Sequence, residues 1–284
     1  MNLIVQGPDI PTPDLKHLAR LAGATAIEAV TPTAFRLVAA DPGQREAVAA
    51  YCEANRFDHG WVPAGRRITD FGLLVMDMDS TLITIECIDE IADMLGLKPQ
   101  VAAITEAAMR GEIDFAESLR RRVSLLAGLD ESALQRVYDE RLQLSPGADI
   151  LLAAARAAGI KTLLVSGGFT FFTERLKPRL GLDYTGANTL EIVGGKLTGR
   201  VLGNIVDAQG KADWLNRVRG ELGLAKNQVV AMGDGANDLK MMAAAGVSIA
   251  YHAKPVVRAQ ASYALNHVGL EGVPPLLGQG AAAP

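Results

Sequence analysis

The chain has 284 residues, 49% of them hydrophobic and 21% charged, enough for one large core or two smaller ones. A net charge of −4 and a pI near 5.6 argue against a nucleic-acid partner, because counterion release needs clustered Lys and Arg, and the run Arg120-Arg121-Arg122 is too short to supply it. No uncharged apolar run reaches the ~18 residues that cross a bilayer and no basic-then-apolar leader is visible, so no membrane partner and a cytoplasmic location are expected.

Residues 1–68 read as a unit of their own. LIVQ (3–6) is a short apolar run, and DLKHLARLAG (14–23) has helical spacing closed by glycine. TAIEAV (25–30) and AFRLVAA (34–40) are strand-like around Thr31-Pro32, a hairpin signal. PGQREAVAAYCEAN (42–55) reads as a helix and FDHGWVP (57–63) as a last strand. The order β-α-β-β-α-β is the ferredoxin-like arrangement. In element order it resembles small amino-acid-sensing domains of the ACT type. The resemblance implies a candidate amino-acid effector there and leaves a homodimer open. Pro63 to Arg67 read as a linker.

Residues 69–284 follow a different pattern. FGLLVMDMD (71–79), KTLLVSGGF (161–169), QVVAMGDGAND (228–238) and VSIAY (247–251) are near-continuous apolar runs, the mark of strands buried on both faces. Helical stretches such as ADILLAAARAAG (148–159) and DLKMMAAAG (238–246) alternate with them, which predicts a doubly wound parallel α/β sheet. Between the first two strands lies a helical insert, about 84–145, placed to act as a lid over the strand ends. The tail GQGAAAP is expected to fray.

Ligands of such sheets sit beyond the carboxyl ends of the strands. Those ends carry Asp77 and Asp79, then Ser166-Gly167-Gly168, then Gly233-Asp234-Gly235. Two neighbouring carboxylates split their proton affinities, so that one can attack while the other carries a proton. The alternative reading is a pair of aspartates capping a helix. A carboxylate facing a phosphate dianion needs positive charge between them. A magnesium ion shared with Asp234 meets that need, with Asp238 free to touch metal-bound water or orient a lysine. Ser166 and the two glycines after it are set to point hydroxyl and N–H groups at an anion, and Lys211 adds a charge. There is no Walker A loop, GxGxxG fingerprint, GxSxG elbow or EF-hand spacing. Cys52 and Cys87 form no CxxC pair and read as buried free thiols, and the four histidines show no zinc spacing.

DMDST (77–81), SGG (166–168), the Lys211 segment and GDGAND (233–238) resemble, in order, the four motifs of the haloacid dehalogenase superfamily of phosphotransferases. LITIECIDEIA, AMRGEIDFAESLRRRVSLL, VSGGF and KLTG are similar to its phosphoserine phosphatase branch. The resemblance covers about residues 71–265. It implies Asp77 as nucleophile and Asp79 as the acid and base, with Mg2+ on Asp77, the carbonyl of Asp79, and Asp234. It also implies Ser166, Gly167 and Lys211 around the phosphoryl group, with Asn237, Asp238 and Thr81 in support. Glu86 and Arg122 fall where that family reads the amino acid, and their charges complement an ammonium and a carboxylate. Met109 and Phe115 are candidate apolar lid contacts. The activity implied is Mg2+-dependent hydrolysis of O-phosphoserine, the last step of serine biosynthesis. Two alternatives stay open: a related phosphatase or phosphotransferase, and an amino-acid-binding regulator on an inactive scaffold. A dehalogenase is disfavoured, because that reaction does not use a second aspartate as acid.

Overall fold

A computed structural model of the chain describes residues 1–280, and the last four residues of the tail and the Met109 side chain lie outside the described residues. The first unit runs β1 (Asn2–Gln6), α1 (Thr12–Leu21), β2 (Ala26–Thr31), β3 (Ala34–Val38), α2 (Arg45–Asn55) and β4 (Asp58–Val62). Its strands form an antiparallel sheet in the order β2-β3-β1-β4, the ferredoxin-like pattern. Alternation along the strands splits their side chains between two cores. Leu3, Val5, Leu37 and Trp61 pack under α1 and α2, whereas Ile4 and Val62 face the other way and join the core of the larger unit.

That second contact makes the junction close. Gly60 of β4 has no room for a side chain: a Cβ there would stand 2.5 Å from Leu276 Cδ2 and 2.8 Å from Tyr263 Cδ1. Both oxygens of buried Asp58 are taken by the backbone N–H groups of Asn266, His267 and Val268, at 2.8, 2.8 and 3.0 Å. Arg66, inside the stretch expected as a linker, donates to Tyr263 Oη at 2.8 Å. The connection is therefore not a loose tether but part of the packed seam.

The larger unit continues with β5 (Leu73–Met76), α3 (Cys87–Met94), α4 (Lys98–Met109), α5 (Phe115–Ser124), α6 (Ser132–Glu140) and α7 (Ala148–Ala157). Then come β6 (Lys161–Phe169), α8 (Thr170–Leu180), β7 (Tyr184–Val193), β8 (Lys196–Leu202) and α9 (Ala208–Glu221). The chain closes with β9 (Val229–Gly233), α10 (Leu239–Ala244), β10 (Val247–Tyr251), α11 (Pro255–Arg258), β11 (Tyr263–Leu265) and α12 (Val273–Leu276). The sheet order is β11-β10-β9-β5-β6-β7-β8. The doubly wound parallel sheet expected is present, and every pair in it is parallel except β7–β8, an antiparallel edge hairpin. Its sequence is half-exposed and alternating, so it lacks the continuous apolar run that marks the central strands. In β5 that run serves two cores: Leu73 and Val75 pack on one face, Leu74 and Met76 on the other.

β5 is central, with β6 on one side and β9 on the other, which places its carboxyl end at the crevice where the chain switches direction. The insert α3–α6 rises from that end through two crossing strands tied by Ser145 N–H to Leu82 O and Thr84 N–H to Gln143 O, both 3.0 Å. The sequence reads 101–129 as one helical stretch, but the chain breaks after Met109. Gly111 takes φ +75, and Asp114 then caps α5 by accepting from Glu117 N–H at 2.7 Å. No described helix is long and apolar enough to cross a membrane.

Candidate active site

β5 stops at Met76, and the next residues turn rather than extend. Asp77 and Asp79 keep extended φ and ψ, but Ser80 is held at φ +56, where a non-glycine residue is strained. The turn is fixed by Ser80 N–H to Ile85 O and Ile83 N–H to Met78 O. Asp77 and Asp79 thus reach one cavity through a tight turn rather than along a continuing strand. Met78 between them is fully buried in the core. The cavity encloses about 650 Å³ beneath the insert.

At its floor, Lys211 of α9 donates to Asp77 Oδ1 and to Asp238 Oδ1, both at 2.7 Å. Lys211 is 1% exposed, Asp77 4% and Asp238 0%. Burial works against the lysine's charge, but Asp238 and Asp77 outweigh it and hold its pKa above the usual value. Burial also raises the Asp77 carboxyl well above the carboxylate range, with Asp238 adding to the rise and Lys211 opposing it. The second oxygen of Asp238 accepts Gly235 N–H at 3.0 Å, which ties the GDGAND turn to the lysine.

Asp79 lines the same cavity half-buried, and its Oδ1 is shielded from solvent with no hydrogen-bond partner among the described residues. Burial, reinforced by Glu86, pushes its pKa up to about 7. A carboxyl in that state carries a proton for part of the population at neutral pH. Asp234, raised to about 6 by burial and then by Asp238, accepts from Thr81 Oγ1 at 3.4 Å. Carboxylate oxygens of Asp77, Asp234 and Asp238 lie within 4.8 Å of one another, a cluster able to hold a metal ion. Asp238 joins that cluster by its side chain, whereas the sequence set it one step further out.

Ser166 and Gly167 close the floor at the end of β6. Ser166 Oγ accepts Gly168 N–H at 2.8 Å, which leaves its own hydrogen free for a ligand. Phe115 comes down from the insert onto Gly167, and Asn237 lines the wall beside Asp234. At the mouth stand Glu86, which accepts from Ser80 Oγ at 2.7 Å, and half-buried Arg122 of α5, whose Nε donates to Ser118 O at 3.4 Å. Burial raises the Glu86 carboxyl and lowers the Arg122 guanidinium, the latter opposed by Asp89 and Glu86. Arg121 pairs with Glu117 on the exposed face of α5, turned away from the cavity.

All the candidate residues of the sequence whose side chains are described either line this cavity or bond a residue that does; Met109 cannot be placed. Sequence reasoning missed Lys254, Asp89, Thr105 and Ala108, which line it as well. Lys254 follows β10 at the same sheet edge, so the strand-end rule that found the other groups would have found it. Asp89 and the α4 residues gave no such signal. Cys52 and Cys87 are buried free thiols, the latter raised by burial and by Asp79.

Residues 74–243 match the family of haloacid dehalogenase-like hydrolases, and residues 3–48 match a domain of unknown function (DUF4072). A Polaromonas protein named phosphoserine phosphatase is 56% identical over 210 residues, spanning 72% of this chain and 89% of that one. Among solved structures, a hydrolase of the same family from Salmonella enterica serovar Typhi superposes with a TM-score of 0.88 at 34% identity, covering 97% of each chain. A probable phosphoserine phosphatase from Vibrio cholerae gives 0.84 at 42% identity, covering 97% of this chain and 86% of the other.

Proposed function

We propose a reaction from one premise: the chain belongs to the haloacid dehalogenase-like hydrolase family. It is a phosphoserine phosphatase, converting O-phospho-L-serine and water to L-serine and phosphate. The observation that carries this is a single cavity with an aspartate pair and a pinned lysine at its floor and a Glu86–Arg122 pair at its mouth. The floor suits a phosphoryl group, and the mouth suits the ammonium and carboxylate of an amino acid.

In this reading Asp77, oriented by Lys211, attacks phosphorus as the bond to the serine oxygen breaks. Asp79, protonated in part because burial raises it, gives its proton to the leaving oxygen. The phosphoryl group then rests on Asp77 as an aspartyl phosphate. Asp79, now a carboxylate, takes a proton from water as that water attacks phosphorus and frees Asp77. Ser166, the Gly167 backbone, Lys211 and Asn237 hold the phosphoryl oxygens. Phe115 and the insert exclude bulk water.

The buried carboxylate cluster fits a hard divalent cation, which we assign as Mg2+ held by Asp77, Asp234 and the Asp79 carbonyl, with Asp238 and Thr81 fixing Lys211 and Asp234. Mg2+ supplies charge neutralisation of the phosphate against the carboxylates. The chain divides at residues 68 and 69 into the ferredoxin-like unit and the catalytic unit with its insert at about 84–145.

Phosphate release from a panel of phosphomonoesters, with and without acceptor alcohols, tests this. Preference for phosphoserine with release to water is expected. Transfer to an alcohol would favour a phosphotransferase, and no turnover would favour a regulator on an inactive scaffold. One observation supports an amino-acid effector as well: a cleft of about 680 Å³ between the two units presents Arg45 and Arg258 together with Glu46 and Glu53. Calorimetric titration with free amino acids reads it out.

A further inference from the structure

The KLTG run (196–199) has no part in the chemistry above, yet it touches the insert closely. Gly128 N–H donates to Leu197 O and Leu197 N–H to Leu129 O, both at 2.8 Å, and Glu131 N–H donates to Gly195 O at 2.9 Å. The insert is therefore held at a third place besides its two crossing strands. That place adjoins the end of α5, two residues beyond Arg122. Gly199 lies there at φ +83, and a Cβ on it would stand 2.9 Å from Ala127 Cβ, 3.2 Å from Ser124 O and 3.3 Å from Ser124 Cα. Two of those atoms are backbone, so the crowding cannot be relieved by a side-chain swing.

We propose that Gly199 is a specificity-determining positioning residue: its lack of a side chain lets the end of α5 seat on β8, and that seat sets the reach of Arg122. The inference rests on the assignment of Arg122 to the substrate carboxylate. Displacing the last turn of α5 moves the guanidinium, whereas Phe115 stands in the first turn at the helix's other end, and Asp77, Lys211 and Asp234 stand just beyond β5, on α9 and just beyond β9. Crowding at Gly199 must then be felt by substrates that use Arg122 and ignored by those that do not.

The test compares Gly199→Ala and Gly199→Asn with wild type on phosphoserine and on p-nitrophenyl phosphate, which lacks both amino-acid groups. Asn tolerates positive φ, so that variant adds the Cβ with less backbone strain and supplies folded protein if the alanine variant does not. Gly194→Ala is the control, because Gly194 has φ +59 in the same hairpin with nothing among the described residues within 4 Å of its Cβ position. Expected is a ~10–100-fold fall in kcat/KM for phosphoserine, mostly in KM, with the aryl phosphate within about threefold. Gly194→Ala leaves the ratio of the two substrates unchanged. Adding Ala127→Gly to Gly199→Ala recovers part of the loss, as it removes the nearest contact. Equal losses on both substrates, no loss, or no recovery with Ala127→Gly would overturn the inference. If Arg122→Ala itself fails to separate the two substrates, the functional reading falls first, and the two failures are told apart.

Discussion

Replacing Lys211 with methionine keeps the length of the side chain and removes its charge. In the wild type one ammonium satisfies two carboxylates at 2.7 Å, in a place where the lysine is 1% exposed and Asp238 is fully buried. Removing one partner of a buried ion pair costs ~3–5 kcal/mol, because the remaining charge has neither water nor counter-ion. For a chain of this size that is about 6–10 °C in Tm. The penalty must depend on pH. Burial and Asp238 already raise Asp77, and losing Lys211 raises it further. A raised carboxyl gives stability that is complete below the unfolded carboxylate pKa and lost as pH rises through the folded one. The deficit of the variant should therefore grow as pH rises from ~4 to ~8, because the raised Asp77 carboxyl keeps its proton at the acid end and gives it up as pH climbs. Lys211 itself contributes no slope in this window, since its pKa is raised from a value already far above it. Calorimetric melting of both proteins in chelator across that range is the assay. A deficit under ~1 kcal/mol at pH ~8, or one equal at both ends, would refute the account of a single lysine neutralising two buried acids.

Chelation should abolish turnover and lower Tm, Mg2+ should restore both, and Asp234→Asn should lose the Mg2+-dependent Tm gain; Ca2+, with its looser coordination, should bind and inhibit. Asp79, raised to about 7, makes the metal-free fold lose stability as pH climbs from the ordinary carboxylate range through about 7, so Asp79→Asn should flatten that part of the Tm profile. Loss of its proton should also depress kcat above about 7, and a flat kcat through that range would exclude it as the acid. Asp58→Ala strands three N–H groups, that of Val268 buried and those of Asn266 and His267 partly so, and should cost on the order of 3 kcal/mol with catalysis retained. Deleting residues 1–68 should leave phosphoserine hydrolysis in a less stable protein, and a folded but inactive product would show that the boundary is misplaced.

The sequence by itself determined the elements that carry the chemistry. Strands buried on both faces announce themselves as continuous apolar runs, so β5, β6, β9 and β10 and the acids, serine and glycines at their ends were legible. So was the β-α-β-β-α-β order of the first unit, because hairpin and helix signals are local. Only the tertiary structure decided what those residues do to one another. Lys211 is a common surface type in sequence, and its place between Asp77 and Asp238 exists only where α9 meets the adjacent ends of β5 and β9. The raised pKa of Asp79 comes from burial, and burial is a property of packing. The close seam at Asp58 and Gly60, and the seat of α5 on Gly199, join segments far apart in the chain. Local sequence patterns report backbone preference and the polarity of a face, whereas pairing across such distances depends on which faces meet.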